Sequence, residues 1–371
     1  MADGSLFVTF NRQGSERGET QVRSQNWLMT MGTRPVGRSL LTITGMFSLE
    51  PVTVGKRGYS ELFQTGEAYK QLENIDRQHP HDLISQLAAA WRVPLGAGSA
   101  LTISGGPIGE ATLGPAAFMH RRSASENPTA PLAHHTLDST HISQGVVAAA
   151  LDAGPLTFEG SAFHGREPDE DRFGVTVGAL DSWATRVWLR PSPSVTAQVS
   201  YGFIHQPEQL VPGDIKRTTA SLSWTRERAA STFSVTSAVG HNKRQYSDLT
   251  AFLGEALARR GRTYAYGRVE VLNIETEHLL FPTVVHTPHP GELIDRLNAY
   301  TVGAVRDVAA TRLFELGVGG DVTLYDVPAR VRAFYGNRPV SLHVFAHLRP
   351  RGRHFMRMWN MTMTQPTRHG R

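Results

Sequence analysis

The feature that most constrains this chain is a two-residue alternation of apolar and polar side chains, repeated in runs of roughly ten residues. Between 314 and 324, Phe314, Leu316, Val318, Val322 and Leu324 fall on one face, and Glu315, Asp321 and Thr323 on the other. Ala197, Val199, Tyr201 and Phe203 oppose Gln198 and Ser200. Ala220, Leu222 and Trp224 oppose Ser221, Ser223 and Thr225. Period two puts successive side chains on opposite faces of a strand. A tilted membrane strand needs about 9–11 residues, whereas about 5–6 is usual in soluble sheets. No stretch approaches the ~20 apolar residues of a membrane helix, so if a chain like this crosses a membrane, it does so with strands.

The connections support the same reading. Tight turns at Arg34-Pro-Val-Gly37, Leu95-Gly-Ala-Gly98, Asp152-Ala-Gly154, Pro191-Ser-Pro-Ser194 and Glu227-Arg-Ala-Ala230 alternate with long segments at 49–81, 107–139, 165–180, 206–215 and 274–295. Short turns at one end and long loops at the other mark an up-and-down membrane barrel. The expectation is an all-β fold: a transmembrane, antiparallel, up-and-down β-barrel of about 16 strands, within roughly 14–18. It forms one domain over residues 1–350, followed by a basic tail over 351–371. Two runs, Asp82–Trp91 and Ser247–Arg260, also fit short amphipathic helices. A soluble two-sheet sandwich uses the same alternation, and would dissolve without detergent.

Composition narrows the function. The chain has 371 residues and no cysteine, which excludes disulfides, thiolate metal sites and a cysteine nucleophile. Its net charge of +5 is scattered rather than gathered on one element, which argues against nucleic-acid binding. Met1-Ala-Asp-Gly-Ser5 has neither the basic nor the apolar part of a signal peptide. For an exported protein, the expectation is a start upstream or a leader already removed.

Several stretches resemble an uncharacterised family of bacterial outer-membrane β-barrel proteins: Leu62-Phe-Gln-Thr-Gly-Glu67, Asp76-Arg-Gln-His-Pro-His-Asp-Leu83, Gly114-Pro-Ala-Ala-Phe-Met-His-Arg121, Asp138-Ser-Thr-His-Ile-Ser143 and Gly165-Arg-Glu-Pro-Asp169. The likeness runs from about residue 5 to about 350. It implies a Gram-negative outer-membrane location with lipid as a partner, and it brings no activity with it.

Two clusters carry metal-ligand chemistry. His79, His81 and Asp82 lie close in sequence, and His120, His134 and His135 follow in the second long loop, with His141 at the start of the next strand. Imidazoles suit Cu, Zn or Ni. The other reading is a hydrogen-bonded polar plug, since the spacing matches no standard zinc motif. In the tail, Met356, Met358, Met361 and Met363 offer thioethers, soft ligands for copper(I). On the polar strand face, Glu159, Arg186, Arg190, Arg268, Glu315 and Asp321 are expected to face the lumen and choose a solute, or to pair across a closed interior. The resulting expectation is a pore or binding barrel for a small solute, with copper or another transition metal as candidate cargo. The alternatives are a non-conducting structural barrel and a barrel-embedded hydrolase using Ser139, His141 and Asp138. Since no G-x-S-x-G elbow is present, the leading reading is not an enzyme. Five tryptophans, Trp27, Trp91, Trp183, Trp188 and Trp224, are expected at the interfacial girdles.

Overall fold

The computed structural model describes residues 2–96, 98–281 and 289–351. Sixteen staves form the wall. They are β1 (Ala2–Gly14), β2 (Asn26–Val36), β3 (Ser39–Phe47), β4 (Ile84–Gly96), β5 (Ser99–Gly109), β6 (Ser143–Ala153), β7 (Leu156–Phe163) and β8 (Ser182–Ser192). They continue as β9 (Val195–Ile204), β10 (Ile215–Arg228), β11 (Ser231–Lys243), β12 (Asp248–Arg260), β13 (Thr263–Glu275), β14 (Ile294–Ala310), β15 (Phe314–Asp326) and β16 (Val340–Pro350). A short strand, Thr20–Arg23, lengthens the β2 stave against β1. Each strand pairs antiparallel with the next, and β16 returns to β1 from Leu6↔Leu348 to Gly14↔Val340, closing the barrel. Closure satisfies every edge of the sheet, the condition for a β-structure to sit in hydrocarbon.

Both runs that fitted a helix are strands, β4 and β12. In β4, Leu87 and Trp91 face out while Ala88 and Ala90 are buried. Without this strand, β3 and β5 would have no partner between them. The need to fill the ladder outweighs the local helical pattern. At one end the strands are joined by tight turns. Gly37 and Gly261 both take φ 59° there, the left-handed conformation that suits the twist of a hairpin. The long connections all lie at the other end.

The outer face is apolar around the wall. Ile43, Ile103, Val147, Phe158, Val199, Leu222, Phe252, Val302 and Val344 are all exposed. So broad a patch is untenable in water and matches a lipid-facing band. Three of the five tryptophans, Trp91, Trp183 and Trp224, project outward. Trp188 does not. It points inward, its indole N–H donating to Glu159 at 2.9 Å and its ring lying 4.9 Å from the Arg186 guanidinium. Trp27 lines an interior cleft. A tryptophan beside buried charge gains a hydrogen bond and a cation–π contact that the girdle does not offer.

The interior is filled by the chain itself. The loops between β3 and β4 and between β5 and β6 fold inward. Leu62, Phe63, Ile75, Leu132 and Leu137 pack with Ala238, Ala251, Leu253, Leu272 and Leu297 on the wall. A second patch joins Ala111 and Leu113 to Val146, Phe163, Ala184 and Ile204. The inner face is therefore polar only in part, because inward loops need apolar wall to pack against. Small wall residues admit them: a Cβ at Gly240 would collide with the Thr136 carbonyl oxygen.

Candidate functional site: a histidine ladder in a loop-filled barrel

Five histidines from the two inward loops meet in the interior. His79 and His81 flank Pro80 just before β4, and Pro80 keeps the residue before it extended. His134 and His135 sit on a helical turn, His134–Leu137, and His141 ends the 3-10 turn Ser139–His141 ahead of β6. Their rings form a continuous series. Centroids are 5.6 Å apart for His79–His135, 5.3 Å for His135–His134, 5.1 Å for His134–His141 and 5.8 Å for His141–His81.

Each imidazole faces a fixed acceptor at Nδ1. Glu67 stands 3.1 Å from His79, Glu50 3.0 Å from His81, and Asp138 2.6 Å from His134. Glu167 lies 3.5 Å from His135, and the Asp138 carbonyl oxygen lies 2.8 Å from His141. An acceptor at Nδ1 places the proton there and leaves the Nε2 lone pair for another partner. Among the described residues, the Nε2 atoms of His135 and His141 are buried without a hydrogen-bond partner. Burial, together with neighbouring positive charge, holds His79, His134 and His141 below the usual imidazole value. Burial would do the same to His81 and His135, but Glu50 and Glu167 raise them.

The remaining metal-ligand candidates fall elsewhere. His120 lies edge-on to Trp27 at 5.0 Å, away from the ladder. Asp82 accepts from Arg172 at 3.2 Å and from Gln144 at 3.1 Å, so its carboxylate braces loops. Met356, Met358, Met361 and Met363 lie outside the described residues. Among the described residues, Glu275, His278 and Glu292 bring three donor atoms within 4.8 Å of one another. They come from the two ends of the β13–β14 connection, a meeting that sequence spacing does not reveal.

All six charged residues expected on the polar face lie on the inner side of the wall, and opposite charges meet there. Arg186 reaches Glu159 at 2.7 Å and Glu110 at 3.1 Å. Arg268 and Arg121 share Glu255, at 3.1 and 2.8 Å, and Arg121 also holds Asp138 at 2.5 Å. Arg190 meets Asp152 at 3.2 Å, Glu315 lies 3.9 Å from Arg349, and Asp321 accepts from Tyr266 at 2.7 Å and lies 2.6 Å from His343. Glu110, Arg121 and Glu255 complete this lattice and escape notice in the sequence, because their partners lie on distant strands and loops.

The hydrolase alternative on Ser139 fails on geometry. The Ser139 hydroxyl accepts from Arg217 at 2.9 Å, His141 contacts a backbone carbonyl, and the Asp138 carboxylate serves His134 and Arg121. A different hydroxyl is paired with an imidazole. Ser5 Oγ lies 2.8 Å from His347 Nε2, and His347 Nδ1 lies 3.0 Å from Glu126 Oε2. These three residues come from β1, β16 and an inward loop, so no local motif announces them. Ser5 opens onto a cleft that runs past Phe7, Trp27, Phe118 and Met119 to His79 and His81.

With this geometry in hand, comparison with known proteins gives a consistent result. No family model matches the chain, and no curated protein matches it. Solved structures do. Pseudomonas putida OprB aligns with a TM-score of 0.56 at 9% identity, over 94% of this chain and 93% of that one. A loop-deletion mutant of OmpT, an outer-membrane protein of Vibrio cholerae, gives 0.52 at 8% identity, over 94% and 99%. The fold is that of the porin-type barrels. Identities this low establish architecture alone; the narrower family suggested by the sequence motifs finds no match.

Proposed function

We propose that this protein resides in the Gram-negative outer membrane and takes a small solute into a barrel narrowed by its own loops, with the histidine ladder as the binding point. The apolar belt around a closed wall supports the membrane setting. The observation that carries the binding reading is the ladder itself: five imidazoles, His134 and His141 buried and His79, His81 and His135 half-buried, each facing an acceptor at Nδ1, with the Nε2 atoms of His135 and His141 left without a hydrogen-bond partner among the described residues. A buried acceptor left unpaired costs about 1–3 kcal/mol, a cost that binding a suitable solute would recover. Small polar solutes with an N–H or O–H to donate fit these acceptors; imidazoles also suit copper or zinc, but among the described residues three donor atoms gather within 4.8 Å at Glu275, His278 and Glu292 and not in the ladder. Oriented Nδ1 partners are the usual support for metal-binding imidazoles.

The apolar packing of the inward loops favours a binding barrel with a narrow path over a wide channel. Planar-bilayer recording distinguishes the two: small or no unitary events fit the narrow path, and large steady steps would sink it. Calorimetric titration of the detergent-folded protein with Cu2+ and Zn2+ tests the ladder. Binding that weakens at least tenfold in the double variant His135→Ala, His141→Ala supports it. Unchanged affinity in that variant places the metal elsewhere, with Glu275, His278 and Glu292 as the next set to remove.

A further inference from the structure

Ser5, His347 and Glu126 form a chain that neither the histidine ladder nor the ionic lattice uses. Glu126 accepts only, so a proton on His347 Nδ1 points to it, and Nε2 is left as an acceptor. The Ser5 hydroxyl, 2.8 Å away, then donates to Nε2. This is the order of roles in a nucleophile–base–carboxylate relay, which is recognised by geometry rather than by position in the chain. The His347 ring is fixed by stacking on Phe7, with centroids 3.8 Å apart. Glu126 stays ionised: burial would raise its pKa, but His347 and the Arg349 guanidinium bring it down to about 2.

Two further observations point to a ligand. First, Ser5 lines the cleft whose walls combine Phe7, Trp27, Phe118 and Met119 with polar groups. Second, Gln25 lines the same cleft. It is 7% exposed; its side-chain carbonyl oxygen accepts from Thr9 at 3.1 Å, while its side-chain amide nitrogen is buried without a partner among the described residues. An amide donor lining the same cleft as a hydroxyl paired with an imidazole suits an oxygen that gains negative charge during acyl transfer.

We propose that the seam between β1 and β16 carries an acyl-ester hydrolase site, in which Ser5 is the nucleophile, His347 the general base and acid, Glu126 a positioning residue, and the substrate a small carboxylic ester with an apolar acyl group. Ser5 Oγ bonds to the carbonyl carbon as its proton passes to His347 Nε2. The carbonyl π electrons move onto oxygen, beside the Gln25 amide. When they return, the bond to the alcohol oxygen breaks, and that oxygen takes the proton from Nε2. Water then attacks acyl-Ser5, giving its proton to His347. The bond to Ser5 Oγ breaks, Ser5 recovers the proton, and the carboxylic acid leaves. The acyl group occupies the aromatic wall of the cleft. The inference is independent of solute binding at the ladder, and either can fail alone.

The test uses the full chain folded in detergent, its fold checked by heat-modifiable gel migration. The probes are p-nitrophenyl butyrate and a fluorophosphonate dye. Hydrolysis and dye attachment mapped to Ser5 by mass spectrometry are expected in the wild type. Both should vanish in Ser5→Ala, and hydrolysis should fall roughly 100-fold or more in His347→Gln, the usual worth of a general base. Glu126→Asp should retain more activity than Glu126→Gln, whose pH profile should shift. Because the chain has no cysteine of its own, Ser5→Cys gives an independent readout. Alkylation of the single thiol in that variant should titrate well below the ~8.5 of a free thiol, and the depression should disappear when His347→Gln is added. A wild type that neither hydrolyses the ester nor takes the dye overturns the proposal. So does activity that survives Ser5→Ala, or a thiol of ordinary reactivity in the Ser5→Cys variant.

Discussion

The ionic lattice on the inner wall and the histidine ladder in the loops are neighbours, yet they treat buried charge in opposite ways. In the lattice the guanidinium groups meet carboxylates at close range: Arg121 holds Asp138 and Glu255, and Arg186 holds Glu159 and Glu110. In the ladder, imidazoles crowd one another, and two of their nitrogens are left with no partner among the described residues. A lattice whose members are paired is a frame, since breaking it leaves a charge stranded in a site of low polarity. A ladder with unused acceptors is a place prepared for something else. The contrast separates what holds the loops in the barrel from what those loops present.

The largest effect that sharpens this contrast is expected at Glu255, the carboxylate shared by Arg121 and Arg268. Glu255→Ala takes from Arg268 its carboxylate and leaves Arg121 with Asp138 alone, and should destabilise the barrel by about 3–5 kcal/mol, read as a lower urea midpoint of tryptophan fluorescence. A loss below about 1 kcal/mol would mean that the lattice is not a frame. Next comes the outer wall, the reference for both regions. Val302 is exposed on β14, and Val302→Arg should cost about 2–4 kcal/mol in vesicles if it sits near the bilayer midplane. A neutral result there would break the lipid-facing assignment.

Smaller effects belong to the ladder. His141→Ala should cost less than about 1 kcal/mol, because the group removed carries an unpaired buried nitrogen whose loss relieves a penalty. A cost comparable to that of Glu255→Ala would make the ladder part of the frame. Acidity separates the regions further. His141 lies well below the ordinary imidazole value because burial disfavours its charged form. The unfolded chain therefore takes up a proton at this position first, as pH falls through about 6.5. The wild type should lose stability relative to His141→Gln as pH falls from above to below that value, a gap visible in paired urea titrations and in hydrogen exchange over residues 130–142. A gap that stays constant with pH would show that His141 does not titrate in this window.

Much of the wall is legible in the sequence. Period two places Glu159 and Arg186 on one face and Phe158 and Val187 on the other, and the structure pairs these residues across β7 and β8. Tight turns fix register over short distances, as Gly37 does between β2 and β3. The interior is less legible. Trp188 reads as a girdle residue by type, yet it packs on Arg186. Five of the six loop histidines converge while His120 turns away to Trp27. Nothing in the spacing of these residues distinguishes them, because their positions depend on how two loops fold against a wall assembled from distant strands.

Alternation, strand length and the asymmetry of the connections are properties of neighbouring residues, and they determine a closed antiparallel barrel with an apolar exterior. Their physical basis is local: a strand exposes alternate side chains to two solvents, and each face must suit its own. The union of Ser5 with His347 and Glu126 is decided only by closure of the sheet. It spans 342 residues between the first and last strands and draws its carboxylate from an inward loop. Such a site exists only once β16 has paired with β1, and the energy that brings its members together comes from the ladder of backbone hydrogen bonds along that seam, not from the three side chains themselves.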